Sequence, residues 1–313
     1  MNQSEEAMLI EARPSSAARS FLTAVGRSLR PHQWAKNLFV FAGVVFSHNL
    51  FTSLAFTATA AFVIFCGLSG AMYLLNDLAD YEKDRLHPRK RHRPVASGQL
   101  SRRGALVVAI GLLVAALGSA FLLSWKFGWV AVAYAGLLSL YSGWLKHLLI
   151  VDVLTVAIGF VLRAVAGAVV VDVEISPWLL ICTVLLALFL TLGKRRHELL
   201  SLSGDAENHR STLSEYSPAF LDQMVGVVTA STVTAYALYT MAPETSGKFH
   251  TRWLPITLPF VLYGVFRYLY LLYHRQLGGS PSELFLTDRP LLLNTLLWVV
   301  ALVLLIYGPA WLG

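Results

Sequence analysis

Apolar residues fall in long blocks along this chain, and short polar segments separate the blocks. Many blocks hold about 20 residues, which is the length that a helix needs to cross the hydrocarbon core of a bilayer. The pattern therefore predicts an all-α polytopic membrane protein with nine transmembrane helices. The predicted spans are residues 38–57, 59–75, 104–123, 127–145, 151–171, 177–193, 222–241, 253–273 and 291–311.

The composition supports this interpretation of the pattern. Hydrophobic residues make up 56% of the chain and charged residues only 14%, whereas a soluble domain has about 25% charged residues. Residues 1–20 are polar and are predicted to form a flexible N-terminal tail, and residues 21–313 are predicted to form a single transmembrane domain. Cys66 and Cys182 lie in apolar runs, which favours buried thiols over a disulfide or a zinc site.

Lysine and arginine residues concentrate on one side of the predicted membrane. Outside the spans, only Lys126, Lys248 and Arg252 fall on the opposite side. Because loops rich in lysine and arginine stay in the cytoplasm, we expect a cytoplasmic N-terminus and an external C-terminus in the cell membrane. Orientation in a lipid bilayer thus accounts for the net charge of +7, and nucleic acid is not an expected partner.

Two charged cytoplasmic loops occupy corresponding positions, at 76–103 after the second predicted span and at 194–220 after the sixth. The first loop begins with Asn76, Asp77, Asp80 and Asp84. If the helix continues past the membrane surface, these side chains share one face, and their carboxylates repel one another. Mg²⁺ prefers such oxygen ligands and binds through one or two carboxylates together with substrate phosphates. A magnesium site is therefore favoured over a solvated acidic helix end.

Basic residues follow the carboxylates directly, with Arg85, Lys90, Arg91 and Arg93 as candidates for binding phosphate. Cations beside a metal site suit a diphosphate, and arginine supplies a bidentate grip. The alternative is a topology determinant or a contact for anionic lipid, since basic runs after membrane spans are common.

The second loop begins with a basic cluster, Lys194, Arg195 and Arg196, followed by Glu198. These cations are candidates for binding phosphate, and the alternative is again an anchor on the cytoplasmic surface. Glu198 is expected either to share a metal ion or to pair with Lys194 four residues earlier.

Further candidates for substrate binding lie at the same depth or within a span. Lys36, Tyr141 and Lys146 are predicted near the cytoplasmic surface. Arg163 falls inside the fifth predicted span, where a lone charge is costly and is usually functional or paired. Its alternative explanation is an ion pair with Asp152 or with another carboxylate of the bundle.

The chain resembles the UbiA superfamily of intramembrane prenyltransferases. The motif N-D-x-x-D-x-x-x-D stands at Asn76, Asp77, Asp80 and Asp84, and R-P-x-x-S-G stands at Arg93, Pro94, Ser97 and Gly98. The resemblance implies nine helices around a cavity on the cytoplasmic side. It also implies that Mg²⁺ and a diphosphate bind at aspartate-rich motifs after the second and sixth helices, with Asp77, Asp80 and Asp84 as catalytic residues.

The second motif departs from the usual D-x-x-x-D, because the chain has Lys194-Arg195-Arg196-His197-Glu198 there. Three segments together resemble one branch of the superfamily. They are this one, R-P-x-Q-W-x-K-N at Arg30–Asn37 and Y-S-x-x-L-K-H at Tyr141–His147. For that branch the resemblance implies transfer of phosphoribose from 5-phosphoribosyl 1-diphosphate to decaprenyl phosphate, on the way to cell-wall arabinan. A reaction with more phosphates needs more cations, which agrees with a basic second motif.

Two other functions stay open at this point. One is transfer of a prenyl group from a prenyl diphosphate to an aromatic acceptor, and the other is a transporter or lipid carrier. A transporter would place ionisable groups along a path through the membrane, and here only Arg163 supports that. We also expect a homo-oligomer, with a trimer as the working assumption.

Overall fold

The computed structural model describes residues 16–88, 90–201 and 215–312 of the chain. These residues form helices and connecting turns without a strand among them, which confirms the predicted all-α class. The chain divides into two compact units: Met1–Pro31 with Gly67–Ala115, and His32–Cys66 with Ala116–Gly313. Most of the predicted tail lies outside the described residues, and its last residues belong to the first helix, Ser16–Ser28.

The smaller unit contains α1 (Ser16–Ser28), the second part of α3 (Leu54–Ala79), α4 (Tyr81–Leu86) and the first part of α5 (Arg102–Leu123). Small and branched side chains let these segments approach closely. Its core consists of Ala24, Leu74, Val95, Leu100, Ala105 and Ala109. The end of α3 and the turn before α5 are therefore fixed against one another.

The larger unit holds the remaining helices. They are α2 (Ala42–Val45), α6 (Trp125–Gly143), α7 (Val151–Val170), α8 (Pro177–Ser201), α9 (Pro218–Met241), α10 (Pro243–Phe249), α11 (Leu258–Tyr273), α12 (Pro281–Thr287) and α13 (Arg289–Leu312). Helix α7 packs against α6 and α8, and α8 packs against α9. The core beside α8 is built by Phe189, Leu192, Leu221, Val225, Val265 and Leu272.

Seven helices in the described residues are long and apolar enough to cross a membrane. They are Leu54–Ala79, Arg102–Leu123, Val151–Val170, Pro177–Ser201, Pro218–Met241, Leu254–Tyr273 and Arg289–Gly308. The count of nine is not confirmed. Residues 38–57 contain the end of a 3₁₀ helix (Pro31–Phe41), α2, turns and the first residues of α3. Helix α6 has the length of a span, but its tryptophans, its tyrosines and Lys126 lower its mean hydropathy.

Close backbone packing against α7 shapes the segment that replaces the first predicted span. A Cβ atom added at Gly167 would lie 1.8 Å from the carbonyl oxygen of Val40. A Cβ atom added at Gly43 would lie 2.6 Å from the backbone nitrogen of Ala168. Because only glycine permits so close an approach, these two residues hold the segment directly on the α7 backbone.

Candidate functional site

The aspartate-rich motif lies where α3 passes into α4. Helix α3 ends at Ala79 and α4 begins at Tyr81, so Asp80 is the single residue between the two helices. Backbone hydrogen bonds from Asp80 to Asn76 (2.9 Å) and from Asp84 to Asp80 (2.8 Å) keep the four-residue register through it. The Asn76 Nδ2 atom donates to Asp80 Oδ2 at 3.2 Å, so these two side chains lie side by side.

Arginine side chains bind the two buried carboxylates of the motif. Asp77 and Asp84 are each only 2% exposed. Arg93 Nη1 donates to Asp77 Oδ1 at 3.1 Å and to Asp84 Oδ2 at 2.6 Å, and Arg30 Nη2 also donates to Asp77 Oδ1. Burial lowers the pKa of Arg30, and the carboxylate of Asp77 opposes that shift. Buried charges of both signs therefore compensate one another here.

The R-P-x-x-S-G motif is the turn that positions Arg93. The Ser97 amide donates to the Arg93 carbonyl at 2.8 Å, and the Leu100 amide donates to the Pro94 carbonyl at 2.9 Å. Gly98 has a φ of 79°, which is a conformation that glycine adopts without steric cost. Because Leu100 lies in the core of the smaller unit, the turn holds the Arg93 guanidinium on the carboxylates.

The donor set of the motif fits Mg²⁺. Arg93 Nη1 already places one cationic group within hydrogen-bonding distance of two carboxylates, so this position stabilises positive charge. Carboxylate and amide oxygens from Asn76, Asp77, Asp80 and Asp84 are the ligands that Mg²⁺ prefers. Among residues 16–88, 90–201 and 215–312, no three His, Cys, Asp or Glu side chains lie close enough together to hold a metal ion by themselves.

The basic residues after the motif divide into two groups. Lys90 Nζ lies 3.9 Å from Asp84 Oδ1 and so joins Arg93 at the carboxylates. The guanidinium of Arg85 instead lies 5.6 Å from the Tyr81 ring centre. Arg91 is exposed beside His92. Among the described basic residues after the motif, Lys90 and Arg93 thus contact the aspartates, as Arg30 does from before the first spanning helix.

Arg195 is the centre of a buried network in the larger unit. It is 3% exposed, and Asp152 is fully buried. Its Nε donates to Asp152 Oδ2 at 2.8 Å, its Nη1 to Glu198 Oε2 at 2.6 Å and its Nη2 to the Tyr141 hydroxyl at 3.2 Å. Tyr216 donates its hydroxyl hydrogen to Asp152 Oδ1 at 3.0 Å. No motif or spacing in the sequence marks Tyr216 as a member of this network.

The neighbours of Arg195 on α8 also form ion pairs. Lys194 lies 3.6 Å from Glu198, as the four-residue spacing predicts. Arg196 Nε donates to Asp222 Oδ1 at 2.5 Å, and its guanidinium lies 4.1 Å from the Tyr273 ring centre. Of the other predicted substrate-binding residues, Lys36 and Lys146 are both half-buried.

Arg163 is buried without a carboxylate partner among the described residues. Its guanidinium donates to the Asn37 side chain at 2.8 Å, to the Gly159 carbonyl at 2.8 Å and to the Tyr134 hydroxyl at 2.6 Å. The alternative explanation of Arg163, an ion pair with Asp152, is wrong, because Asp152 binds Arg195 and Tyr216 instead. Neutral oxygens and the rings of Tyr134 and Phe160 surround this cation.

Comparison with known proteins identifies the family. Residues 37–287 match the sequence pattern of the UbiA prenyltransferase family. The chain belongs to this family. As a UbiA family member with several spanning helices, it is an integral membrane protein.

Two curated relatives and one solved structure extend the likeness. A protein of Corynebacterium glutamicum named decaprenyl-phosphate phosphoribosyltransferase is 32% identical over 90% of this chain and 86% of its own length. A protein of the same name from Mycolicibacterium smegmatis is 30% identical over 92% of this chain and 94% of its own length. The structure of a UbiA homolog from Archaeoglobus fulgidus bound to GPP and Mg²⁺ has a TM-score of 0.70 at 21% identity, covering 90% of this chain and 99% of that one. This last likeness establishes the fold.

Proposed function

We propose that this enzyme transfers the 5-phosphoribosyl group of 5-phosphoribosyl 1-diphosphate to decaprenyl phosphate and releases diphosphate. The observation that carries the proposal is the similarity to the two decaprenyl-phosphate phosphoribosyltransferases, which extends over nine-tenths of the chain. That similarity and the UbiA family membership make the chain a transferase that acts on a polyprenyl phosphate. The phosphoribosyl donor, the metal and the pathway are the parts of the proposal that need testing.

In the proposed reaction, the bond between ribose C1 and the diphosphate oxygen breaks, and a bond between C1 and an oxygen of the lipid phosphate forms. The lipid phosphate is already ionised at neutral pH, so no general base is needed. Attack from the face opposite the leaving diphosphate inverts the configuration at C1. The chemical problem is therefore mainly electrostatic, because several phosphate groups gather around one carbon.

The acidic motif of the smaller unit would hold Mg²⁺ through Asp77, Asp80 and Asp84, with Asn76 as an additional oxygen donor. When bound, Mg²⁺ supplies positive charge that stabilises a departing diphosphate. Arg93 binds Asp77 and Asp84, and its guanidinium would also be a donor for a phosphate oxygen of the substrate. Arginine suits this role because its planar donors match phosphate in a bidentate way.

Cations of the larger unit are further candidates for binding phosphate. Lys194 is 41% exposed at its side chain, and Lys36 and Lys146 are half-buried. Arg196 pairs with Asp222 through Nε and would bind phosphate through its Nη atoms. Arg195 is less suited to bind phosphate, since each of its three guanidinium nitrogens donates to a protein oxygen.

The setting follows from the same proposal. The basic loops would face the cytoplasm, where a soluble phosphoribosyl donor is available, and the protein would lie in the plasma membrane as a homo-oligomer. The product would be a precursor for cell-wall arabinan.

A direct assay tests the proposal. Purified protein in detergent with Mg²⁺ receives labelled 5-phosphoribosyl 1-diphosphate and decaprenyl phosphate, and label is followed into the organic phase, with a metal-chelated control. Metal-dependent transfer is expected. A parallel reaction contains a prenyl diphosphate and an aromatic acid, because the similar Archaeoglobus structure is bound to GPP and Mg²⁺. Prenyl transfer without phosphoribosyl transfer would overturn the proposal in favour of the aromatic alternative.

A further inference from the structure

Glu198 is a partly exposed carboxylate with a cation on either side. Its side chain is 28% exposed near the end of α8. Arg195 Nη1 lies 2.6 Å from Glu198 Oε2, and Lys194 Nζ lies 3.6 Å from Glu198 Oε1. Two cations stabilise the ionised form of a carboxylate, and a carboxylate has several lone pairs with which to accept hydrogen bonds from a ligand.

A chain of buried contacts holds this carboxylate in place. Tyr216 donates to Asp152 at 3.0 Å, Asp152 accepts from Arg195 at 2.8 Å, and Arg195 donates to Glu198. The Tyr216 hydroxyl also accepts a hydrogen bond of 3.0 Å from the backbone amide of Ile150. Ile150 has a φ of 66°, which is an unfavourable conformation for a β-branched residue.

The buried contacts that hold Glu198 are more extensive than a surface ion pair requires. A lysine and a glutamate four residues apart on an exposed helix pair without help from other elements. Here Asp152 is fully buried, Arg195 is 3% exposed, and the backbone at Ile150 is strained. Strained backbone persists where the surrounding structure fixes it, and such places are concentrated at functional sites.

We propose that Glu198 accepts hydrogen bonds from the vicinal hydroxyl groups of a ribose 5-phosphate moiety, and that Asp152, Arg195 and Tyr216 are its positioning residues. This inference rests on the proposed function and names the part of the donor that this site binds. A carboxylate repels phosphate but is a strong acceptor for sugar hydroxyls, and acidic side chains bind ribose hydroxyls in dinucleotide sites for this reason. The Tyr141 hydroxyl, 3.2 Å from Arg195 Nη2, is a second polar group beside the same arginine.

The test compares two stable ligands that differ by one hydroxyl group. Ribose 5-phosphate and 2-deoxyribose 5-phosphate are used as competitive inhibitors of phosphoribosyl transfer, and the ratio of their inhibition constants is measured. Wild-type protein should bind the ribose compound about tenfold more tightly, since a hydrogen bond to a charged group has roughly this effect. Glu198→Gln should bring the ratio close to one, with binding of the deoxy compound little changed.

Substitutions of the positioning residues should have intermediate effects on the ratio of the two inhibition constants. Asp152→Asn and Tyr216→Phe should lower the ratio partially, because Glu198 is still present but Arg195 is less firmly held. Asp222→Asn is the matched control: it removes the carboxylate paired with the next arginine of α8 and should leave the ratio at the wild-type value. A folded Glu198→Gln protein is recognised by its unchanged melting temperature in detergent.

An unchanged ratio in folded Glu198→Gln protein would overturn the inference, and so would an equal loss of affinity for both compounds. Failure of the proposed function is a separate result. If wild-type protein transfers no phosphoribose, the same two compounds are compared by thermal stabilisation of the protein. A preference for ribose 5-phosphate that disappears in Glu198→Gln would still support the hydroxyl site, whereas no preference in wild-type protein would refute it.

Discussion

Arg163 donates its Nε hydrogen to the side-chain oxygen of Asn37 at 2.8 Å, across 126 residues of sequence. The other donors of this arginine go to the Gly159 carbonyl and the Tyr134 hydroxyl. Within the described parts of the chain no carboxylate lies within ion-pair distance of Arg163. A cation inside a spanning helix is thus held by neutral oxygens and aromatic rings, and it joins α6 and α7 to the Pro31–Phe41 segment.

Replacing Arg163 by methionine should lower the stability strongly. The change removes the hydrogen bonds from the guanidinium to Asn37, Gly159 and Tyr134, and a hydrogen bond to a charged group contributes roughly 1.5–3 kcal/mol. We expect a loss of roughly 3 kcal/mol or more in the free energy of unfolding, measured by thermal unfolding in detergent. Lys126→Met is the control, since Lys126 and Asp172 are 71% and 84% exposed. Equal stability of the two variants would contradict the structural role of Arg163.

Gly167→Ala should disturb the contact between α7 and Val40. The added Cβ atom would meet the Val40 carbonyl oxygen at 1.8 Å, so backbone must move at a cost of about 1–3 kcal/mol or more. Gly136→Ala in α6 is the matched control, because nothing lies within 4 Å of its added Cβ. That control should be neutral or stabilising by up to roughly 1 kcal/mol, as alanine favours the helix. The two melting temperatures give the comparison.

Asp80→Ala should abolish turnover while the protein stays folded, because the motif loses one of its proposed metal ligands. We expect a fall in kcat of at least about 100-fold, with a higher Mg²⁺ requirement for the residual activity. Glu82→Ala, which removes an exposed carboxylate of α4, should keep wild-type kcat and Mg²⁺ dependence. Near-normal activity of the Asp80 variant would remove this residue from the proposed metal site.

Stability should decline at alkaline pH in a way that depends on Tyr216. Burial, followed by the neighbouring Asp152, raises the pKa of Tyr216 to about 12, whereas an unfolded tyrosine titrates near pH 10. The folded state therefore holds this proton more tightly, and the free energy of unfolding falls as the pH rises from about 10 to 12. Tyr216→Phe should make this fall shallower, and Tyr263→Phe at a 48% exposed site should retain it. Identical pH profiles for all three proteins would contradict the prediction.

Sequence patterns predicted the helical class, most spans and the position of the acidic motif, because these depend on local composition and spacing. The length of an apolar block predicts a span, and the four-residue register predicts that Asn76 and Asp80 lie together, as they do. The roles of Asp77, Asp80 and Asp84 at a metal stay predictions.

The features that sequence patterns did not predict depend on contacts between residues far apart in the chain. The block at 38–57 is apolar enough for a span, but contacts with Gly167 and Ala168 hold part of it in a 3₁₀ helix and a short turn of α-helix. Asp152 and Arg195 are 43 residues apart, and nothing in either neighbourhood marks them as partners. Tyr216 lies 64 residues from Asp152 in the sequence, and no periodicity marks it as a member of the same network.

The dependence of the Pro31–Phe41 segment on α7 also affects the order of biogenesis. The segment leaves the ribosome before α7 has been translated, yet Asn37 binds Arg163 and Val40 packs on Gly167. Polar groups without partners are costly in the bilayer core, so the segment reaches its final position only after α7 has been inserted. We therefore expect nascent chains that end before α7 to be recognised by membrane quality control, whereas chains that include α7 have this part of the larger unit assembled.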